Sequence, residues 1–592
     1  FFFKQKTAYE IPKRDWSSDV CSSDLEHHKP TEWFGCSPLV VGLIVLLVAI
    51  MLPPLIYLVQ VSFYTTNFDG SFGDLTTKYY TQLVTNPRFF NNFLNTCIYA
   101  TGSAVVAIVI GVLQAWIVER TNTPLRQYMF LVAILSLGIP QVLYTISWLL
   151  LLGKSGPFND LMRNIMGTSD VYINVYSMWG MILIEGFTWG PLSFLLLSSV
   201  FRSADASFEE ASMMSGAGIG QTFRNITVRL AMPAILALVM LIIIRAFEAF
   251  EIPALVGMPG RVRVLTTDIY EAVHISMPAN YGQAGAFSVV LLLLVVVMLQ
   301  YYNRLSRYAE RFQTITGKGF RPRLMNLGKL RYVTSGILVL FFILLIVLPI
   351  GIVLLASLQP FYEKVNAQAF MNMTIKNYVQ VFNSRSFRDS IGNTLILGVV
   401  TATLTCGLTA IFAWLAVRRF RGAWILDQIA TAPLIFPAIV MGVAFMQVYL
   451  NLPFAFYCTL ASVIFASMVR YLPYGMRYSY AGVLQIHDEL EEASAISGAR
   501  QKTTFLRIVL PLIAPAMVTC WLFVFLLSVR AVSMAILLVG PNSQIVAVTL
   551  FDLWSNGQTA ELAAMGFTWM AFMTVVSAIF YVVARRYGLT VH

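Results

Sequence analysis

Charge is what this chain has least of. Of its 592 residues 58% are hydrophobic and only 12% are charged, against ~25% in a soluble domain, and so little charge excludes an ordinary water-soluble fold. Histidine is almost missing. The five present, His27, His28, His274, His487 and His592, include no pair spaced to hold a metal on one helix face. Apart from Cys21, the cysteines (Cys36, Cys97, Cys406, Cys458 and Cys520) are scattered through or beside apolar stretches without metal-ligand spacing. They read as small buried apolar residues, which leaves a membrane metalloenzyme without ligands. A nucleotide loop is missing too. Gly153-Lys154-Ser155 imitates the end of a phosphate-binding loop, but the glycine required five positions earlier is Trp148. Gly216-Ala217-Gly218-Ile219-Gly220 has Gln221 where the last glycine of a dinucleotide fingerprint belongs.

What the chain has instead is long apolar runs. Crossing a ~30 Å hydrocarbon core takes ~20 apolar helical residues, and about twelve stretches qualify: 39–61, 93–117, 128–152, 175–200, 230–254 and 284–302, then 334–358, 389–416, 424–450, 455–478, 512–538 and 562–584. The expected fold is an all-α polytopic membrane protein of two parallel six-helix repeats. The first 25 residues stand apart. Positions 4–11 and 15–25 resemble one reading frame through a common sequencing adapter, and this polar stretch has no apolar core for a signal peptide. Residues 1–25 are therefore set aside as an artefact and expected to be disordered. The remaining plan is an N-terminal segment (26–38), a first half (39–302), a basic connector (303–333), a second half (334–584) and a short tail (585–592).

The net charge of +11 raises the question of nucleic acid, but its placement answers for a membrane. Basic residues gather in alternate loops: Arg304, Arg307, Arg311, Lys318, Arg321, Arg323, Lys329 and Arg331 in the connector, then Arg418-Arg419-Arg421 and Arg585-Arg586. By the positive-inside rule these loops, the connector and both termini face the cytoplasm of a bacterial inner membrane. Six spans per half return the chain to its starting side, so the halves run parallel.

Between apolar segments, a polar loop occurs twice. From Glu209 to Ala234, 13 of 26 positions are identical to Glu491 to Ala516 at a constant offset of 282, including Phe223/Phe505, Ile226/Ile508 and Pro233/Pro515. Asn95-Thr96 and Ala115-Trp116 recur 298 residues later as Asn393-Thr394 and Ala413-Trp414, so the six-span unit itself is duplicated. The falling offset leaves the first half an extra segment around 153–175, expected as an external loop. Ser207, three residues before Glu210, and Asp488, three before Glu491, have capping-box spacing, with Gly216 and Gly498 as stop signals. Each loop, about 201–229 and 479–511, is thus expected to hold a two-turn helix presenting carboxylates and small residues to the cytoplasm.

Glu492-Ala493-Ser494, Gly498 and Ile508-Val509-Leu510-Pro511 resemble the Glu-Ala-Ala signature of membrane permeases in binding-protein-dependent ATP-binding-cassette importers. Glu210-Ala211-Ser212, Gly216 and Ile226 match as well, but Val228-Arg229 stands where Leu-Pro is usual. The resemblance covers the chain beyond residue 25. Fusion of two six-span units is most similar to ferric-iron-type permeases, with thiamine and aminophosphonate permeases as relatives. What the resemblance implies is a coupling helix in each loop, anchored by Glu210 and Glu492 on separate ATPase subunits. Two such subunits would bind ATP-Mg, a periplasmic or lipid-anchored protein would deliver the solute, and this chain would bind no cofactor and hydrolyse nothing. The kept Leu510-Pro511 makes Glu492→Lys the more damaging of the two charge reversals.

Charges within spans mark the pathway candidates, because they are costly there and face the protein interior. Arg245, Glu248 and Glu251 follow one another at i, i+3 and i+6 on the fifth span, and Arg530 lies on the eleventh. Pro233 to Glu248 and Pro515 to Arg530 both count 15 residues, ~22 Å of rise towards the outside. Glu248 and Arg530 are then repeat equivalents of opposite sign, either paired across the pseudo-twofold axis as an outer gate or separate, with Arg245 on Glu248 and Arg530 facing water. Three functions stand: a fused importer permease for ferric iron, thiamine, an aminophosphonate or a polyamine; a twelve-span secondary transporter; and a membrane enzyme or scaffold. The second gives no reason for duplicated Glu-Ala loops, and the third lacks a clustered nucleophile, acid/base pair or metal site.

Overall fold

The structure, a computed structural model, describes residues 38–66, 72–167, 170, 173–311, 324–363 and 367–586. The expectations for 1–25, for nearly all of 26–38, for the middle of the connector with Lys318, Arg321 and Arg323, and for the end of the tail lie outside the described residues. In the first half the main helices are α1 (Pro38–Phe63), α2 (Pro87–Arg120), α3 (Met129–Gly138), α4 (Gln141–Leu152), α5 (Met178–Ser203), α6 (Ser207–Met214), α7 (Val228–Glu248), α8 (Leu265–His274) and α9 (Tyr281–Arg311). The second half repeats them. Its α10 (Leu330–Phe342) runs through a π turn into α11 (Leu348–Leu358), followed by α12 (Arg385–Val417), α13 (Ala423–Thr431), α14 (Ala438–Leu450) and α15 (Leu460–Leu484). Then come α16 (Glu489–Ile496), α17 (Leu510–Ser528), α18 (Val546–Ser555) and α19 (Thr559–Arg586).

Among the described residues nine helices are long and apolar enough to cross a membrane, or up to eleven if each of two bent pairs is one span. The expected spans 128–152 and 424–450 are those pairs, bent by 98° and 109°. Pro140 and Pro437 cause both breaks: proline lacks an N–H and pushes the preceding residue out of the helical region, and Ile139 and Phe436 are extended at ψ 126° and 121°. The twelfth expected span is α15, 25 residues long, whose polar content, with Arg470 and Arg477, keeps it outside the nine. The extra segment of the first half is not a loop throughout. It forms a short helix, Pro157–Met166, pinned where the buried Asn159 donates to the carbonyls of Leu152, Gly153 and Ile173 at 2.9–3.0 Å.

Within each half the most extensive helix contact joins equivalent elements, α2 with α5 and α12 with α15. Lipid supplies no hydrophobic drive between helices, so close approach of small residues does the work. A Cβ on Gly111 would sit 2.5 Å from that of Ser193, and one on Gly475 would sit 2.7 Å from Thr409 Oγ1. These are the same contact with the glycine exchanged between partners. The halves are also laced together: α1 packs on α14 of the second half, and α11 packs on α4 of the first. One core cluster draws on both halves and lies between two smaller ones, each completed by the leading helix of the opposite half, Leu338, Leu345 and Ile346 on one side and Val40 and Leu47 on the other.

Candidate functional site

The duplicated loop folds the same way twice. The helices α6 and α16 are eight residues each, and both end on a left-handed glycine, Gly216 at φ +87° and Gly498 at φ +78°. The amide after each glycine bonds back to a serine carbonyl, Ala217 to Ser212 and Ala499 to Ser494, both at 3.1 Å, the six-to-one closure of a glycine stop. The starts differ from the capping boxes expected. Ser207 is already inside α6, and Ala206 at the cap position makes no side-chain bond. Asp205 does that work one residue earlier, its Oδ1 accepting from the Ser207 amide at 2.9 Å, which holds its carboxyl below the usual range. Asp488 occupies the cap of α16 but makes no side-chain cap bond either.

The expected anchors are Glu210 and Glu492, yet the structure grips the glutamate before each. Glu209 lies 3.6 Å from Arg120 Nε and accepts from Thr227 Oγ1 at 2.7 Å. Glu491 is bound by Arg418 Nε at 2.8 Å and Trp414 Nε1 at 2.9 Å. Arg120 and Arg418 end the equivalent helices α2 and α12, and each also donates to a carbonyl just before the loop helix, Ala204 and Ile486. The clamp ties the loop to the second span of its own half. Glu210 is left half-buried and Glu492 exposed. Ala211 and Ala493 are exposed, while Ser212 and Ser494 reach across the glycine turn to Thr222 Oγ1 and Thr504 Oγ1 at 3.0 and 2.8 Å. Serine in place of the signature's second alanine therefore latches the loop helix to the helix that follows. Beyond the turn both copies pass through a π turn, Phe223–Thr227 and Phe505–Val509, so Val228-Arg229 leaves the backbone as Leu510-Pro511 does.

Each loop helix exposes two apolar side chains, one in its first turn and one at its end. Phe208 is 51% exposed and its equivalent Leu490 47%, Met214 90% and its equivalent Ile496 89%. Exposed apolar side chains at matching positions in two otherwise polar loops mark a contact site.

The charges in the membrane follow the local arrangement in part. Arg245 Nη1 bonds Glu248 Oε2 at 3.1 Å, and among the described residues no ion pair joins Glu248 to Arg530. Nor does Arg530 face water freely: it is half-buried, and its Nη1 donates to the Leu137 carbonyl of α3, in the opposite half, at 2.8 Å. The bond on the axis is a different one. Ser533 Oγ donates to Glu251 Oε1 at 2.7 Å, and these residues are 282 apart, the repeat offset itself. Repeat equivalents related by a twofold can touch each other only close to the axis, so Glu251 and Ser533 mark it. The sequence reading passed over Glu185, a lone acid inside α5 that is fully buried and visible in the sequence as such. Arg120, Arg418, Thr222 and Thr504 were also legible, since they recur at the repeat offsets.

At the end of the bundle away from the loop helices, Asn92 Nδ2 donates to both oxygens of Asp268 at 2.9 and 2.8 Å, and Arg263 pairs with Glu271 at 2.8 Å. Burial pushes the Asp268 carboxyl up to about 7. Among the described residues no group of three or more histidine, cysteine or carboxylate side chains could hold a metal ion.

Two laced helical repeats, each with a clamped polar loop, define a two-repeat membrane permease. The family described as binding-protein-dependent transport system inner membrane component matches twice, over 107–306 and 407–588, and the chain belongs to it. It is a transport component of a bacterial inner membrane and not a catalytic subunit. Among its relatives is a Haemophilus influenzae protein provisionally named ferric transport system permease protein FbpB 1, 28% identical over 479 residues, covering 80% of this chain and 72% of that one. The ferric transport system permease protein FbpB of Actinobacillus pleuropneumoniae is 25% identical over 509 residues, covering 85% and 71%. The sulfate transport system permease protein CysW of Escherichia coli is 25% identical over 219 residues, 37% of this chain and 72% of that one. A solved bacterial ABC transporter that imports alginate aligns with 44% of this chain and 96% of its own, at 16% identity and a TM-score of 0.35.

Proposed function

We propose that this chain is the transmembrane permease subunit of an ATP-driven ferric-iron importer. A periplasmic or lipid-anchored binding protein delivers the ion at the outer face, and two copies of an ABC ATPase sit under α6 and α16, with both termini on their side. The observation that carries the ATP-driven reading is the pair of loop helices, with Phe208 and Met214 on one, Leu490 and Ile496 on the other, and a glutamate-arginine clamp behind each. Closure of the ATPase pair pushes on both helices, and the clamps pass the push to α2 and α12. Ferric cargo is favoured by two relatives that carry ferric transport in their names and align over most of this chain.

The test is to identify the partner binding protein, determine which ligand it retains, and measure whether the loaded protein stimulates ATP hydrolysis by the reconstituted complex. A ferric-retaining protein that stimulates is expected; retention of sulfate, a polyamine or thiamine would move the cargo elsewhere. Met214→Asp with Ile496→Asp is expected to uncouple hydrolysis from transport. Glu492→Lys is expected to cost more transport than Glu210→Lys, because Glu492 is the exposed one of the pair; equal losses at equal expression would remove that asymmetry.

A further inference from the structure

Three side chains of the first half lie within Coulombic reach of one another and serve neither loop. Glu185 on α5 is fully buried, its carboxylate accepting from Trp189 Nε1 at 2.9 Å and Gln141 Nε2 at 3.3 Å. Among the described residues it has no ion pair. Tyr99 on α2 is fully buried too; its hydroxyl lies beside Glu185, within Coulombic reach of Glu251, and makes no well-formed hydrogen bond. Glu251 is 9% exposed and marks the axis through its bond to Ser533, and it too is within Coulombic reach of Glu185. From Pro87 to Tyr99 is 12 residues and from Met178 to Glu185 is 7, roughly 18 and 10 Å of helical rise from the outer helix ends. The group therefore lies in the outer half of the bundle.

Packing does not require it. The repeat-equivalent positions of Glu185 and Tyr99 are Ser467 and Leu397, so the second half builds the same helices without an acid or a phenol there. Two neighbouring carboxylates sealed from water are costly unless a cation or a proton answers them, and ionisable groups kept inside a membrane protein mark substrate or ion pathways. Arg530 reaches Glu251 only at Coulombic range, and the hydrogen bond it makes is to the Leu137 carbonyl.

We infer that Tyr99, Glu185 and Glu251 form a transit site for a multivalent cation that prefers hard oxygen ligands, the class that includes ferric iron. The site offers two carboxylates and a phenol, the donors such ions take, with no thiol or imidazole in the group. Three protein donors leave the ion's remaining positions to water, which suits a station that must release what it binds. Ser533 holds Glu251 from the second half, so separation of the halves opens the site along the axis. The inference rests on the ferric reading above.

The test uses the full complex in proteoliposomes, with the ferric-loaded binding protein outside and ATP inside, and reads radiolabelled iron uptake together with ATP hydrolysis. Glu185→Gln, Glu251→Gln and Tyr99→Phe keep volume; the Glu251 carboxamide can still accept from Ser533, while the Glu185 carboxamide can accept from only one of Trp189 and Gln141. Each carboxamide variant is expected to lose uptake at least about tenfold, as removal of a charged group from a metal site does, while stimulation of hydrolysis by the loaded binding protein stays at the wild-type level. Tyr99→Phe is expected to lose less. Uptake at the wild-type rate in both carboxamide variants would overturn the site, and loss of hydrolysis alongside uptake would make these residues structural. A wild-type complex that hydrolyses ATP but takes up no iron would instead overturn the ferric reading itself.

Discussion

Arg120 and Arg418 do the same job in different surroundings, and the difference sets their energetic weight. The Arg120–Glu209 side chains are 2% and 4% exposed, whereas Arg418–Glu491 are 17% and 15%. Breaking a fully buried pair by removing one partner costs ~3–5 kcal/mol because the other charge is stranded, while a pair that water reaches is worth about 1 kcal/mol or less. Arg120→Gln is therefore expected to lower the melting temperature of the detergent-solubilised protein well below that of Arg418→Gln. Equal shifts would contradict the burial argument. The Ser–Thr latches are smaller, ~1 kcal/mol each, and local. Ser212→Ala with Ser494→Ala is expected to speed amide exchange in 207–217 and 489–499 without moving the global melt. At this scale the sequence was half legible: the duplicated Glu-Glu-Ala-Ser was plain, but which glutamate is gripped depends on arginines more than 70 positions away, on another helix.

At the scale of elements, prolines and glycines were the reliable signs. Gly216 and Gly498 end their helices as expected, and Pro140 and Pro437 break theirs, though the apolar runs across those breaks read as straight spans because composition carries no bend. The capping boxes failed for a physical reason. The side chains that would cap α6 and α16 compete with stronger partners: Asp205 takes the first Ser207 amide, and Arg418 takes Glu491. Outside the spans, α8 carries a pH response. Asp268 holds its proton to about pH 7 against an ordinary 3.8, so between those values the folded state binds a proton that the unfolded chain has released. Stability of this segment is thus fully present at low pH and falls as pH rises through about 7. Hydrogen exchange over Leu265–His274 is expected to quicken between pH 5 and 8 after correction for intrinsic rates, and Asp268→Asn is expected to abolish that change. An unaltered pH response in the variant would assign it to another group.

For the whole molecule, the parallel duplication was readable from two constant offsets, and it correctly implied an axis. What lies on the axis was not readable, because equal counts from Pro233 and Pro515 give height along a helix and not rotation about it. Glu248 turned to Arg245 on its own helix, and Glu251 crossed to Ser533. The exchange of leading helices, α1 onto α14 and α11 onto α4, means that neither half closes its core alone, so a push on one loop is felt by both halves. The measurement that tests this account most directly is uptake of radiolabelled ferric iron by proteoliposomes holding the chain with its ATPase subunits and loaded binding protein. The account predicts uptake that requires both ATP and the loaded binding protein and survives collapse of all ion gradients; uptake driven by a gradient with no ATPase subunit present would contradict it.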